Sequence, residues 1–217
     1  VNFKDITDEY ACLGIFGPKS RNLVSKVFGE KFLNDDFKFG TGKYIQFNEI
    51  QIWFQRISYV GELGWEIYIP LEKSKEVYEA IVSEEKEFKL VHAGAHSMDI
   101  MRMEKGYLHW GHDISSAENP FEAGLEFAVK LNKKENFIGK EYLISTNQIS
   151  KKRLIMCTID NSKPGNPLVL HDEPIFLDNE IVGETTSGNY SFIYNKNLIF
   201  GYINKNILLE NNTKKFE

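Results

Sequence analysis

Two cysteines in 217 residues are too few for a disulfide framework or a thiolate metal site. Both Cys12 and Cys157 sit in apolar runs and are expected to be buried small hydrophobes. No apolar run approaches the roughly 20 residues that a membrane-spanning helix needs. A basic surplus is missing too. The 26 Lys and Arg are outnumbered by 31 Asp and Glu, a formal charge of -5, which disfavours a nucleic-acid partner. There is no P-loop, no dinucleotide glycine fingerprint and no Gly-x-Ser-x-Gly elbow. The spacing of His109, His112 and Asp113 fits no closed zinc pattern, so no metal is expected. Glu62 and Glu66 can approach each other, but Glu62 reads as an exposed turn residue, so no carboxylate pair is assigned.

What is present is a core-forming composition, 42% apolar and 13% aromatic, enough for one large or two modest domains. Strands are expected over Tyr10–Phe16, Lys43–Phe47 and Ile50–Val60, and helices over Ser20–Val27 and Glu72–Val82. Ala93–Tyr107 carries apolar residues on two faces, which predicts a mostly buried helix. Inside it Asp99 and Arg102 stand three apart and are expected to pair, locking the helix against a sheet. The loop Gly106–Asp113 is expected to line a cleft with its aromatic and His side chains. Leu125, Phe127 and Val129 read as one face of an extended segment, and Phe137–Lys140 opens a helix reaching about Ile149. Ser150–Arg153 is a basic break, taken as a boundary between domains 1–149 and 150–217. Beyond it short strands and turns follow one another: Leu154–Ile159, Pro174–Leu177, Glu180–Gly183, Ser191–Tyr194 and Leu198–Ile203. A turn is expected at Ser187–Asn189. That rhythm predicts a small antiparallel barrel or sandwich after an α+β domain. Lys214–Glu217 reads as the start of another strand. The missing initiator Met suggests an excerpt of a longer protein.

One stretch stands out. Ser58–Val60 and Trp65–Ile69 read as strands joined by a turn bracketed by Gly61 and Gly64. The period of two sends Trp65, Ile67 and Ile69 to one face, and Glu66 and Tyr68 to the other. Tyr59, on the preceding strand, is expected near them. A carboxylate there can accept two parallel hydrogen bonds from a flat ring with adjacent N–H donors, such as an aminopyrimidinone, each contributing roughly 1.5–3 kcal/mol. An aromatic neighbour can stack on such a ring. The same pattern also describes a solvent-facing Glu beside a half-buried Tyr, and spacing alone leaves both readings open.

Five segments in order carry a family resemblance: Tyr59–Tyr68, Met98–Tyr107, His109–Asp113, Asn119–Phe127 and Phe137–Lys140. Together they resemble the folate-binding half of dimethylglycine and sarcosine dehydrogenases, related to the aminomethyltransferase (T-protein) of glycine cleavage. Thr185–Ser191 also resembles that family's C-terminal barrel. The resemblance implies an α+β folate-binding domain followed by a small antiparallel β-barrel. It implies tetrahydrofolate as cofactor of this region, contacted by Tyr59, Glu66, Ile67, Tyr68 and Phe127, with backbone groups near Ile67 assisting. It further implies an FAD domain upstream that oxidises an N-methyl amine, the one-carbon unit passing to tetrahydrofolate as the 5,10-methylene form. Catalytic residues are expected upstream of Val1, so this segment alone is not expected to catalyse a reaction.

Two positions depart from the pattern. Phe127 stands where the dimethylglycine enzymes have Tyr, which removes a phenolic hydrogen bond and keeps stacking. Met98 stands where T-proteins have a folate-contacting Arg, which sides the chain with the dehydrogenases. The competing expectations are a stand-alone folate-dependent aminomethyl- or methyltransferase and a non-catalytic module of the same fold. Neither a membrane nor a nucleic-acid partner is expected. The expected location is the cytoplasm, or the mitochondrial matrix in a eukaryote.

Overall fold

The computed structural model describes residues 2–32, 37–146 and 150–210. The chain divides into two compact units, 1–98 and 99–217.

The first unit is built on an antiparallel four-stranded sheet. Its strands are β1 (Tyr10–Phe16), β2 (Gly42–Phe47), β3 (Ile50–Gln55) and β4 (Gly64–Pro70), in spatial order β1-β4-β3-β2. Asn48 supplies the left-handed residue (φ 52°) of the tight turn between β2 and β3. Alternation decides the two faces. Ile15, Ile45, Ile50, Ile52, Phe54, Trp65, Ile67 and Ile69 are buried. With helices α1 (Ser20–Phe28) and α2 (Ser74–Val82), which give Leu23, Val24, Val77 and Ile81, they form one core. Phe28, Phe32, Phe37, Phe54 and Trp65 join it through edge and stacked ring contacts at 4.9–6.5 Å. The opposite face carries Cys12, Tyr44, Gln51, Trp53, Gln55, Glu66 and Tyr68, none of them buried.

Two expectations fail in this unit. Strand β3 stops at Gln55, and residues 56–63 are bends and irregular chain, so Tyr59 is not on a strand. The cause is local. Arg56 still exchanges backbone hydrogen bonds with Gly40 and Thr41, but the Ile57 N–H then turns back onto the Gln55 carbonyl (3.0 Å), and further on Gly61 adopts φ 70°, outside the extended range. Cys12 is exposed rather than buried, because the alternation of β1 sends even-numbered residues outward.

A short helix α3 (Glu85–Phe88) precedes α4 (Ala95–Glu104), within which the division between the units falls. The second unit contains α5 (Lys140–Thr146) and a second antiparallel sheet of β5 (Lys152–Ile159), β6 (Pro174–Leu177), β7 (Glu180–Ser191) and β8 (Lys196–Asn204), in order β5-β8-β7-β6. Helix α6 (Lys205–Glu210) follows. The expected turn at Ser187–Asn189 is instead part of the 12-residue β7, and the expected strand at Ser191–Tyr194 is where the chain turns. The Ser191 and Ile193 turn is held by Glu104, which accepts from Ser191 Oγ (2.6 Å) and Ile193 N (3.3 Å). The expected extended segment around Phe127 is a 3-10 turn, Glu126–Ala128. The end of the expected helix at 147–149 and the expected strand at 214–217 lie outside the described residues.

Helix α4 is not mostly buried: only Arg102 and Met103 are. Its ion pair does lock it to a sheet. Arg102 Nε donates to Asp99 Oδ1 (2.8 Å), Nη2 donates to Ser187 Oγ on β7 (2.8 Å), and Nη1 donates to Asp113 and to the Tyr107 carbonyl. Asp113, fully buried, also accepts from Thr186 Oγ1 and Ser187 Oγ (2.7 Å each) and from His109 N. Adjacent strand residues normally face opposite ways. A bulge between Thr185 and Ser187 lets Thr186 and Ser187 both reach one carboxylate oxygen. Asp113 is therefore a structural anchor of the 106–114 loop, and the neighbouring His109 and His112 rings pack against each other at a tilt of 42°, 4.4 Å between centroids.

Candidate functional site

The open face of the first sheet can be read in rows across the strands. One row runs Gly14, Glu66, Gln55, Gly42; the next runs Cys12, Tyr68, Trp53, Tyr44. Directly opposed residues have Cβ atoms roughly 4.5–5.5 Å apart on one face, so side chains adjacent in a row are nearest neighbours. Tyr68 donates its hydroxyl to Glu66 Oε2 (2.8 Å). That bond raises the phenol to about 12, aided by partial burial and by the carboxylate's charge. The Cys12 thiol lies within hydrogen-bonding reach of the same hydroxyl. Partial desolvation of the sulfur by its neighbours on the sheet face, and then the Glu66 charge, push that thiol up, which keeps it protonated and weakly nucleophilic at neutral pH.

The two glycines that end the first row make room for rings. A Cβ on Gly14 would stand 2.5 Å from the Phe16 ring, and one on Gly42 would stand 2.1 Å from the Trp53 ring. Phe16 and Trp53 thus lean over the backbone on either side of Glu66 and Gln55. Three strand spacings, about 14 Å, separate the glycines. Tyr44 packs edge-on against Trp53 (4.9 Å) and extends that wall. The result is a polar floor two residues wide between aromatic sides. Further along the same face, an open depression of about 350 Å3 lies between Tyr10, Tyr44, Gln51 and Pro70; Glu66 and Tyr68 do not line it. Among the described residues no cluster of three or more His, Cys, Asp or Glu is placed to hold a metal, and no helix is long and apolar enough to cross a membrane.

Comparison with known proteins decides the family. The GCVT N-terminal domain model matches residues 1–133, and the glycine cleavage T-protein C-terminal barrel domain model matches residues 152–215. The chain belongs to the glycine cleavage T-protein family. Human mitochondrial dimethylglycine dehydrogenase is 39% identical over 207 residues, covering 94% of this chain and 23% of that protein. The aminomethyltransferase of Halothermothrix orenii is 31% identical over 197 residues, covering 91% and 54%. The crystal structure of the glycine cleavage system aminomethyltransferase T from Bartonella henselae shares the fold at a TM-score of 0.78 and 20% identity, over 90% of this chain and 52% of that one. The chain therefore spans about a quarter of the length of its dehydrogenase relatives and about half that of the transferases.

Within this T-protein-family fold, the residues expected at the site separate. Glu66 and Tyr68 come together on β4 as the alternation requires. Ile67, between them, is fully buried on the core face. It sits between Leu13 and Phe54 in the two ladders, so it has no side chain to offer the open face. Tyr59 is half-buried in the irregular 56–63 segment of the first unit. Phe127 belongs to the second unit and is 73% exposed. Trp53, Gln55 and the two row-ending glycines were not singled out from the sequence. The signal was available in Ile50–Gln55, whose alternation of Ile, Ile and Phe with Gln, Trp and Gln shows which side chains must share the face of Glu66.

Proposed function

We propose that this chain is the tetrahydrofolate-binding part of a flavin-linked N-methyl amine dehydrogenase of the dimethylglycine and sarcosine type. In that enzyme the one-carbon unit removed from the amine is accepted by tetrahydrofolate, giving 5,10-methylenetetrahydrofolate. The reading rests on one observation above all: the Glu66 carboxylate, steadied by Tyr68, stands between aromatic side walls on the uncovered face of the sheet. An ionised carboxylate only accepts hydrogen bonds. With one bond used by Tyr68 it retains lone pairs for the two parallel N–H donors of an aminopyrimidinone, so the donor set fits the group. The higher identity to dimethylglycine dehydrogenase than to the aminomethyltransferase supports the dehydrogenase branch. Tetrahydrofolate supplies a nitrogen pair that takes up the one-carbon unit. The residues here would hold its ring, with Tyr59 as a further contact, and FAD would belong to another part of the enzyme.

Calorimetric titration of the full-length protein with tetrahydrofolate tests this. Glu66→Ala should weaken binding about tenfold or more, the equivalent of about 1.5 kcal/mol. Unchanged affinity in that variant would remove the site. A full-length protein without bound flavin that still binds folate would favour the stand-alone transferase.

A further inference from the structure

We infer that Gln55 is a specificity-determining residue of this site, donating its side-chain amide to the carbonyl oxygen of the same ring whose N–H groups Glu66 accepts. The inference rests on the folate reading of Glu66 and extends it to a residue on a different strand.

Three observations carry it. Gln55 is the residue opposite Glu66 across the β3–β4 ladder, so both side chains leave the same face as nearest neighbours. Its side-chain amide makes no hydrogen bond to another described residue, although the residue is only partly exposed. And it is flanked on its other side by Gly42, over which the Trp53 ring lies, so on that side the amide has a flat apolar wall and no polar side chain in its row.

The chemistry then follows from complementarity. A 2-amino-4-oxo-pyrimidine edge presents two adjacent N–H donors and, next to them, a carbonyl acceptor. Glu66 matches the donors and cannot serve the carbonyl, since a carboxylate has no hydrogen to give. A carboxylate alone would leave that carbonyl unpaired once water is displaced, which costs affinity. An amide at the adjacent row position supplies the missing donor. Acceptor and donor side by side thus select a ring with an amino group and a carbonyl over one with amino groups at both positions. Such discrimination comes from leaving the wrong ring's polar group unmatched.

The test uses the full-length protein, tetrahydrofolate as the cognate ring and a 2,4-diaminopteridine as the competing one. Gln55→Leu should weaken tetrahydrofolate binding about three- to tenfold. Gln55→Glu, which replaces the donor with a second acceptor, should weaken it about tenfold or more. The Glu variant should also shift the ratio of affinities toward the diamino ring, a change that a merely structural role would not produce. If both Gln55 variants bind tetrahydrofolate as the wild type does while Glu66→Ala does not, the role of Gln55 is overturned and the Glu66 site stands. If Glu66→Ala also binds normally, both fall together.

Discussion

The Tyr68 hydroxyl donates to Glu66 Oε2 at 2.8 Å, between side chains two residues apart on one face of β4. The bond gives the tyrosine a role other than stacking: it fixes the carboxylate's orientation before any ligand arrives. Tyr68→Phe keeps the ring and loses the bond, and should weaken folate binding about three- to tenfold. The phenol itself is a reporter. The hydrogen bond to Glu66 and partial burial hold it near 12. Because the folded value is raised, the bond's contribution is fully present below about pH 10 and is lost as pH rises through about 12. Phenolate absorbance should therefore show Tyr68 ionising late alongside Tyr202, which burial also raises, and in Glu66→Gln the Tyr68 component alone should move back toward the ordinary value. A titration identical in both proteins would mean the bond is not formed in solution.

Arg102 is a different kind of residue, buried and holding four partners at once: Asp99, Asp113, Ser187 and the Tyr107 carbonyl. Removing one member of a buried pair leaves the other charged and unpaired. Arg102→Ala should cost about 3–5 kcal/mol in urea unfolding. Arg102→Lys keeps the charge and loses the planar fork, so it should fall between wild type and Ala. A loss below about 1 kcal/mol for the Ala variant would show that the network is not a stability element.

What could be read from the residues followed their periodicity. The inward set of β4 and the outward pair Glu66 and Tyr68 came from alternation, because a strand with one buried face has its register fixed by burial. The Asp99–Arg102 pair came from helical spacing. The partners that make Arg102 an anchor did not, since Asp113, Thr186 and Ser187 converge through a loop and a bulge. A bulge breaks the alternation on which the reading depends, so Ser187–Asn189 was taken for a turn. The same limit hid Gln55: a strand pattern tells which face a residue occupies, not which residue lies opposite. Ser58–Val60 misled for a local reason: these strand-forming residues follow a tight turn in which the Ile57 N–H closes onto the Gln55 carbonyl, and they end at Gly61 with φ 70°.

The wall beside the site can be moved without touching its polar floor. A Cβ on Gly42 would meet the Trp53 ring at 2.1 Å, far inside contact distance, so Gly42→Ala must displace the indole. Displacing a packed ring in this way costs typically 1–3 kcal/mol. The expected result is lower stability together with a change in tryptophan fluorescence, and weaker folate binding if Trp53 is a wall of the site. Gly42→Ala with unaltered fluorescence would mean that the ring does not rest on the glycine.

In the second unit, acid should remove a stabilising contribution made by Glu118. Its carboxylate accepts from Lys152 Nζ (2.8 Å) and from Ser115 Oγ and N (2.7 and 2.9 Å). Burial pushes this carboxyl up, but the hydrogen bonds from Lys152 and Ser115 outweigh it, and the group lies below its ordinary 4.5. A depressed carboxylate contributes stability above its unfolded value and loses it as pH falls through the folded one. Glu118→Gln should thus cost about 1.5 kcal/mol at pH 7, somewhat less where the one-third-exposed Lys152 is screened by salt. The difference should shrink as pH falls below the ordinary 4.5 and through the depressed folded value, measured as the gap between urea midpoints of the two proteins at each pH. Lys152 also lies over the Tyr202 ring (4.6 Å), whose hydroxyl donates to the Asp113 carbonyl. Losing Glu118 therefore frees a cation that packs on the same anchor Arg102 holds. Combining Glu118→Gln with Arg102→Ala should give less than the sum of the two losses, the coupling expected of residues that share partners. Strict additivity would separate the ion pair from the anchor.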